Sequence, residues 1–183
     1  MNYADIKQFD VANGKGIRVS LFVSGCTHAC KGCFNEEAWD FNYGREFTDN
    51  NIDDIMSYLE PDYVAGLSLL GGEPFEYSNQ KGILPLLRRF RQRYPREEYE
   101  AHKKNIWAYT GYLFDKDIMG RMCKEWEETK ELISYIDILV DGEFHEDEKN
   151  LKLAFKGSEN QRIILVPESI EKGELVLWTP PAP

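Results

Sequence analysis

Three of the four cysteines in this 183-residue chain fall inside one short string, CTHACKGC, as Cys26, Cys30 and Cys33, with Cys123 far downstream. Gaps of three and then two residues let the thiolates turn toward one centre, and Gly32 relieves crowding in so tight a loop. A lone cysteine commonly serves as a small buried hydrophobe, but three in one loop after an apolar run point to metal chemistry. Structural zinc wants four ligands in a closed tetrahedron. The fourth candidate nearby is His28, whose place between the first two cysteines would strain the loop. Thiolates suit an iron-sulfur cluster better, and with three local ligands a four-iron cluster would keep one iron open, as a catalytic metal site does. Cys123 is either a fourth ligand or a semi-buried thiol. His28 either shapes the cluster's hydrogen-bond shell or is a polar loop residue.

Other chemistry-bearing residues also follow apolar runs. Gly71-Gly72-Glu73-Pro74 closes LSLL, Thr110-Gly111 closes NIWAY, and Asp141-Gly142 closes IDILV. Thr110 and Asp141 can contact a substrate or cofactor, or cap the segment that follows. Gly14-Lys15-Gly16 is not a phosphate loop, since Ile17 stands where Ser or Thr would be needed and no helix follows. His28, His102 and His145 form no catalytic set with a serine or general base.

The elements that must position these residues alternate. Strands are predicted over Ile17–Ser24, Val64–Leu70, Asn105–Tyr109, Ile136–Val140 and Arg162–Val166 from β-branched and aromatic runs ended by glycine-containing turns. A short helix opens after Asn35. Another, capped by Asn50 or Asn51, puts Ile52, Ile55, Met56 and Leu59 on one face before Pro61 stops it. Further helices are expected over Ile83–Tyr94 and Cys123–Ser134. Strand, glycine turn and amphipathic helix in alternation specify an α/β fold, a mostly parallel sheet with outer helices. Chemistry in such sheets gathers at the carboxyl ends of strands, where CTHACKGC, GGEP, TG and DG all lie. Asn160-Gln161-Arg162 precedes a strand, so on this topology it faces away from the chemistry. The chain reads as a single domain over 1–183 with a flexible Pro-rich end at 179–183.

Composition narrows the function classes. The chain carries 22 basic against 32 acidic residues, net −10, which disfavours direct binding to nucleic acid or an anionic membrane. No run approaches the ~18 apolar residues of a membrane span. The start, MNYADIKQFD, resembles neither a secretory nor a transit segment, and the clustered cysteines suit a reducing, cytoplasmic setting. Charge is uneven: Lys124–Glu148 holds ten acidic and two basic residues, and Lys81–Lys104 eight basic and three acidic. Solvated helix faces explain this, as does steering toward a protein partner and an electron donor.

GCTHACKGCFN resembles the CxxxCxxC signature of radical S-adenosylmethionine enzymes, and LSLLGGEP their Gly-Gly-Glu element. GKGIRVSLFVSGC, AYTGY, DILVDGEF and FKGSENQRII together resemble the activating components of oxygen-independent (class III) ribonucleotide reductases, from about Gly16 to Val166. The resemblance implies an open partial (β/α) barrel. It implies a [4Fe-4S] cluster on Cys26, Cys30 and Cys33, with S-adenosylmethionine on the open iron. The cofactor would be bordered by Gly71, Gly72 and Glu73, by Cys33, Phe34 and Asn35, and by Thr110 and Asp141. A side chain added at Gly72 is expected to impair cofactor binding more than cluster assembly. Many members carry an aromatic residue before the third cysteine; here Gly32 stands there and Phe34 follows. The implied activity is reductive cleavage of S-adenosylmethionine to a 5'-deoxyadenosyl radical, which takes hydrogen from a glycine Cα in the reductase large subunit. The implied electron donor is flavodoxin-like.

Size agrees with this, because a complete eight-unit barrel takes roughly 250 residues and an open mouth suits a peptide loop as substrate. Two other readings compete. One is another small radical S-adenosylmethionine enzyme, either a different glycyl-radical activase or a small-molecule synthase. The other is a zinc or iron-sulfur module without catalysis.

Overall fold

The computed structural model describes residues 1–96 and 103–180. Seven strands form one sheet in the order β3-β1-β2-β4-β5-β6-β7. They are β1 (Asn2–Asp10), β2 (Ile17–Val23), β3 (Arg45–Glu46), β4 (Val64–Gly71), β5 (Asn105–Tyr109), β6 (Ile138–Asp141) and β7 (Arg162–Leu165). The centre, β2-β4-β5-β6, is parallel, and the flanks β1, β3 and β7 pair antiparallel. The sheet stays open, in keeping with the expected α/β partial barrel.

Residue periodicity explains the layering. Val19, Leu21 and Val23 of β2, Leu67 and Leu69 of β4, Ile106 and Ala108 of β5 and Leu139 of β6 are buried in one core with the helices. Those helices are α1 (Asp49–Tyr58), α2 (Tyr77–Arg93), the short α3 (Cys123–Glu125), α4 (Glu127–Tyr135) and α5 (Val166–Lys172). Ile52 and Ile55 of α1, Ile83, Leu87 and Phe90 of α2 and Leu132 of α4 supply the opposing surface, each fully buried side chain contributing about 1.5–3 kcal/mol. The alternate residues face the other way, where Trp107, Val140 and Ile163 make a smaller cluster with Tyr109, Phe155 and Trp178. Among the described residues no helix contributes to this smaller cluster. At its closed end Arg18 is fully buried and donates to Ser68 Oγ and Leu67 O at 2.7 Å and to Asn105 O at 3.0 Å, tying β2, β4 and β5 together.

Several boundaries differ from expectation. Thr48, in extended conformation, precedes α1, and Asn51 accepts the Thr48 backbone N–H at 2.8 Å, so the cap lies before Asn50. The segment Phe114–Met122 is π-helical and leads into α3. The basic run from Lys81 is largely consumed internally, with Arg88 on Glu131, Arg89 on Asp53, and Arg91 and Arg96 on Asp137; its members 97–102, including His102, lie outside the described residues. Of the Pro-rich end, residues 181–183 also lie outside them. Among the described residues no helix is long and apolar enough to cross a membrane.

The larger correction concerns β7. Because it pairs antiparallel to β6, with Arg162 opposite Asp141, its first residue stands beside the carboxyl end of β6. Asn160-Gln161-Arg162 therefore lies on the same sheet edge as the cysteine loop, and not away from it.

Candidate metal centre and cofactor cavity

The loop bearing the cysteines leaves the carboxyl end of β2 and is pinned as it starts. Gly25 N–H donates to Ala38 O at 2.7 Å and Cys26 N–H to Trp39 O at 3.1 Å, using the short 3-10 turn Glu36–Trp39 as an anchor. The end of β4 closes on the same loop, with Gly72 N–H donating to Val23 O at 2.7 Å and Glu73 N–H to Gly25 O at 2.8 Å. Asn79, buried in α2, adds bonds to Ser24 O, Gly25 O and Glu73 O. These approaches require glycine. A Cβ on Gly71 would lie 2.6 Å from Val23 O, and one on Gly72 would lie 2.6 Å from Gly25 O and 2.8 Å from Ala38 O. Both glycines seat the cysteine loop as well as border the cavity, so a side chain at Gly72 presses on the loop that carries the cysteines.

All three thiols are free and half-buried. Burial pushes Cys26 up to about 12, the carboxylates of Glu73 and Glu76 adding to the shift while the N–H groups of His28 and Ala29 oppose it. Burial also raises Cys30, against the N–H of Phe144. Cys33 Sγ accepts the Asn35 N–H at 3.4 Å. Thiols so placed ionise when a cation takes up their charge, as metal binding does.

The donor set, three half-buried thiols on one loop, fits an iron-sulfur cluster, which thiolates favour. His145, Asp147 and Glu148, whose ligand atoms lie within 4.8 Å of one another, are on a separate turn. Neither candidate fourth ligand is at hand. Cys123 packs into the helix-side core, its Sγ 3.9 Å from Met119 Sδ. His28 has both ring nitrogens against carboxylates: Nε2 is 3.0 Å from Glu73 Oε2 and Nδ1 2.8 Å from Glu143 Oε1. Burial alone would lower His28, but the two carboxylates outweigh it and raise it to about 9, so it is an imidazolium cross-link at neutral pH. Three thiols remain as the candidate ligands.

They border a cavity of about 450 Å³ that runs from the cysteine loop onto the inner sheet face. Of the residues singled out in the sequence, Cys26, Cys30, Cys33, Phe34, Asn35, Gly71, Gly72, Glu73 and Thr110 line it. Glu73 is 1% exposed; its Oε1 accepts the Phe75 N–H and its Oε2 the Gly111 N–H, each at 2.8 Å, so it ties the ends of β4 and β5 together at the cavity floor. Thr110 Oγ1 accepts the Tyr112 N–H at 3.1 Å, the capping role. Phe34 packs on Phe144 with ring centroids 5.0 Å apart and forms the outer wall.

Asp141 departs from expectation. It is fully buried but does not line the cavity; its carboxylate accepts Arg162 Nε at 2.9 Å, Arg162 Nη2 at 2.6 Å and the Phe114 N–H at 2.8 Å. An inward-facing place in β6 belongs to Val140, and the next residue turns to the helix side. Glu143, Phe144 and Tyr109 were missed as site residues. The strand-end rule could have found Tyr109, while Glu143 and Phe144 come near the cysteines only through the turn after β6.

The comparisons with known proteins agree with this geometry. A family model described as a 4Fe-4S single cluster domain matches residues 12–164. The chain is 38% identical over 165 residues to the anaerobic ribonucleoside-triphosphate reductase-activating protein of Enterobacteria phage T4, covering 89% of this chain and 93% of that one. The protein of that description from Haemophilus influenzae is also 38% identical, over 89% of this chain and 97% of its own. That from Escherichia coli K12 is 37% identical over 88% and 96%. With three thiols at the end of β2, a Gly-Gly-Glu turn beneath them and this similarity across nearly nine-tenths of its length, the chain belongs to the anaerobic ribonucleoside-triphosphate reductase-activating protein family.

Proposed function

We propose that the protein activates the large subunit of an anaerobic ribonucleoside-triphosphate reductase by generating a glycyl radical on it, using S-adenosylmethionine and a [4Fe-4S] cluster. The observation that carries this reading is the set of three free thiols on one loop, bordering a cavity of about 450 Å³. Cys26, Cys30 and Cys33 would hold the cluster. When bound, it would supply the single electron needed for reductive cleavage of S-adenosylmethionine to methionine and a 5'-deoxyadenosyl radical.

The chain's own residues then hold and orient. Gly71 and Gly72 keep backbone, and no side chain, against the methionine end. Phe34 and Asn35 border the side next to Cys33, and Thr110 closes the end of β5. The cavity beside the cysteine loop would receive the peptide segment, and a glycine can approach closely because it has no side chain. Holding donor and acceptor in contact uses binding energy for orientation. A flavodoxin-like protein is the proposed electron donor.

The test is anaerobic reconstitution followed by electron paramagnetic resonance with and without S-adenosylmethionine, then addition of the reductase large subunit. The reading expects a cluster whose spectrum changes with S-adenosylmethionine and a carbon-centred radical on the partner. Stoichiometric zinc without sulfide in anaerobic material would overturn it, as would consumption of a small organic substrate while the partner stays diamagnetic.

A further inference from the structure

The loop of residues 150–156 forms neither helix nor strand, yet it is fixed at both feet. Lys149 pairs with Ser158 as an isolated antiparallel bridge, and the Asn150 N–H donates to Gly157 O at 3.2 Å. Asn150 also ties the tip, its Oδ1 accepting the Lys152 N–H at 2.9 Å and its O the Leu153 N–H at 3.2 Å. Beyond Gly157 the chain is held on the turn of residues 142–145. There Ser158 Oγ accepts the His145 N–H at 3.2 Å, Asn160 Nδ2 donates to Glu143 O at 2.8 Å and Gln161 Nε2 to Gly142 O at 3.0 Å. Phe155 is clasped by Trp107 of β5 and by Trp178, with ring centroids at 5.3 and 5.9 Å. Trp178 is itself fixed where the end of the chain runs beside β7, its N–H donating to Ile163 O at 2.8 Å.

Leu151, Leu153 and Phe155, alternate residues of this loop, all line the cavity that the cysteines border. Phe155 closes it against the sheet, while Leu151 stands at the mouth, 84% exposed. Phe34 is also exposed there, and Lys149 Nζ lies 4.9 Å from the centre of its ring. Residues 149–156, KNLKLAFK, include three lysines and no acid in a chain of net charge −10. Neither property suits S-adenosylmethionine. Its amino, carboxylate and ribose groups need hydrogen-bonding partners, which leucine side chains do not supply, and its sulfonium is repelled by the lysines. An aliphatic wall takes up an apolar side chain.

We propose that Leu151 and Leu153 determine specificity for the partner, receiving an apolar side chain next to the glycine that yields the radical, with the Phe155 clasp holding the loop for this contact. The proposal rests on the activase reading above. The glycine has no side chain by which it could be selected, so discrimination falls on its neighbours. A peptide whose glycine enters beside the cysteines passes the mouth at Leu151, because the loop and the cysteines bound one continuous cavity.

Leu151→Ser tests this in the full-length, anaerobically reconstituted protein, since a side chain so exposed contributes little to folding. Iron and sulfide content and the spectral change with S-adenosylmethionine should match wild type. The KM for the large subunit in radical formation should rise about tenfold with kcat at saturating partner near wild type, and Leu151→Met should restore it. In the large subunit, serine in place of the apolar residue beside the target glycine should raise KM by a similar factor with the wild-type activase. It should add little with Leu151→Ser, as for residues in contact. A wild-type KM in Leu151→Ser would overturn the proposal, as would a target glycine with polar neighbours only. So would a lowered affinity for S-adenosylmethionine, which gives the loop to the cofactor, or fully additive losses, which separate the loop from the peptide. Leu153→Ala carries the same comparison if Leu151→Ser does not fold. A wild-type protein that forms no radical on the large subunit would instead overturn the activase reading, which separates the two failures.

Discussion

At the scale of single residues, the metal site is a place where a bare thiolate is unstable. Cys26 sits among buried groups with Glu73 and Glu76 nearby, and the left-handed Ala29, at φ 50°, shapes the loop between ligands. Alanine at any one of Cys26, Cys30 or Cys33 should sharply lower iron and sulfide content, whereas Cys123→Ala should leave it near wild type, because Cys123 lies in the helix-side core; metal and sulfide analysis distinguishes the two. Gly72→Val should lower both cluster content and cofactor affinity, since its side chain meets the carbonyls of Gly25 and Ala38. Overpacking of this kind costs about 1–3 kcal/mol, which thermal melting of the apo protein will register. Arg162 gives a pH signature. Its hydrogen bond holds Asp115 below the ordinary 3.8, so the stabilisation is present above that value and is lost as pH falls through the lowered one. Asp115 is 42% exposed, so the effect is small. Asp115→Asn should lower the melting temperature slightly at neutral pH, and the difference should vanish in strong acid.

At the scale of elements, what was legible followed burial. The central strands β2, β4 and β5 were visible because parallel strands covered on both faces read as apolar runs. β1 was not, since NYADIKQFD lies at a solvated flank with most of its side chains partly or fully exposed, and the two residues of β3 are too few to leave a pattern. α2 begins at Tyr77, before the apolar face that announced it, because its first turn is polar and is tied by Gln80. The direction of β7 could not be read, as RIIL looks the same in either orientation; with it went the place of Asn160 and Gln161. The cysteines and glycines of the site were legible from type and spacing, while His28, Glu143 and Phe144 meet only through tertiary structure. Helix-to-helix packing yields its own prediction. Thr129 of α4 donates to Gln80 Oε1 of α2 at 2.7 Å, and Gln80 Nε2 donates to Phe75 O at 2.7 Å, all buried. Thr129→Val leaves the Gln80 oxygen unpaired and should cost about 1–3 kcal/mol in denaturant titration, with cluster content unchanged.

At the scale of the whole molecule, the helices cover one side of the sheet, and the cavity beside the cysteine loop opens on the other. If the reductase large subunit completes that enclosure, 5'-deoxyadenosine should form faster in its presence. Deuterated glycine in the partner should then deliver deuterium into 5'-deoxyadenosine and simplify the hyperfine splitting of the radical. An unlabelled product alongside a fully formed radical would place the abstraction on another residue. The reversed last strand also has a consequence in time. A ribosome delivers residue 33 long before residue 161, and at ~5–20 residues per second the three thiols wait on the order of ten seconds before the side chains that hold the neighbouring Gly142–His145 turn are synthesised. The Gly142–His145 turn that packs on the cysteine loop is therefore secured by the end of the chain, and a nascent polypeptide truncated before Gly157 carries all three cysteines without the side chains that hold that turn.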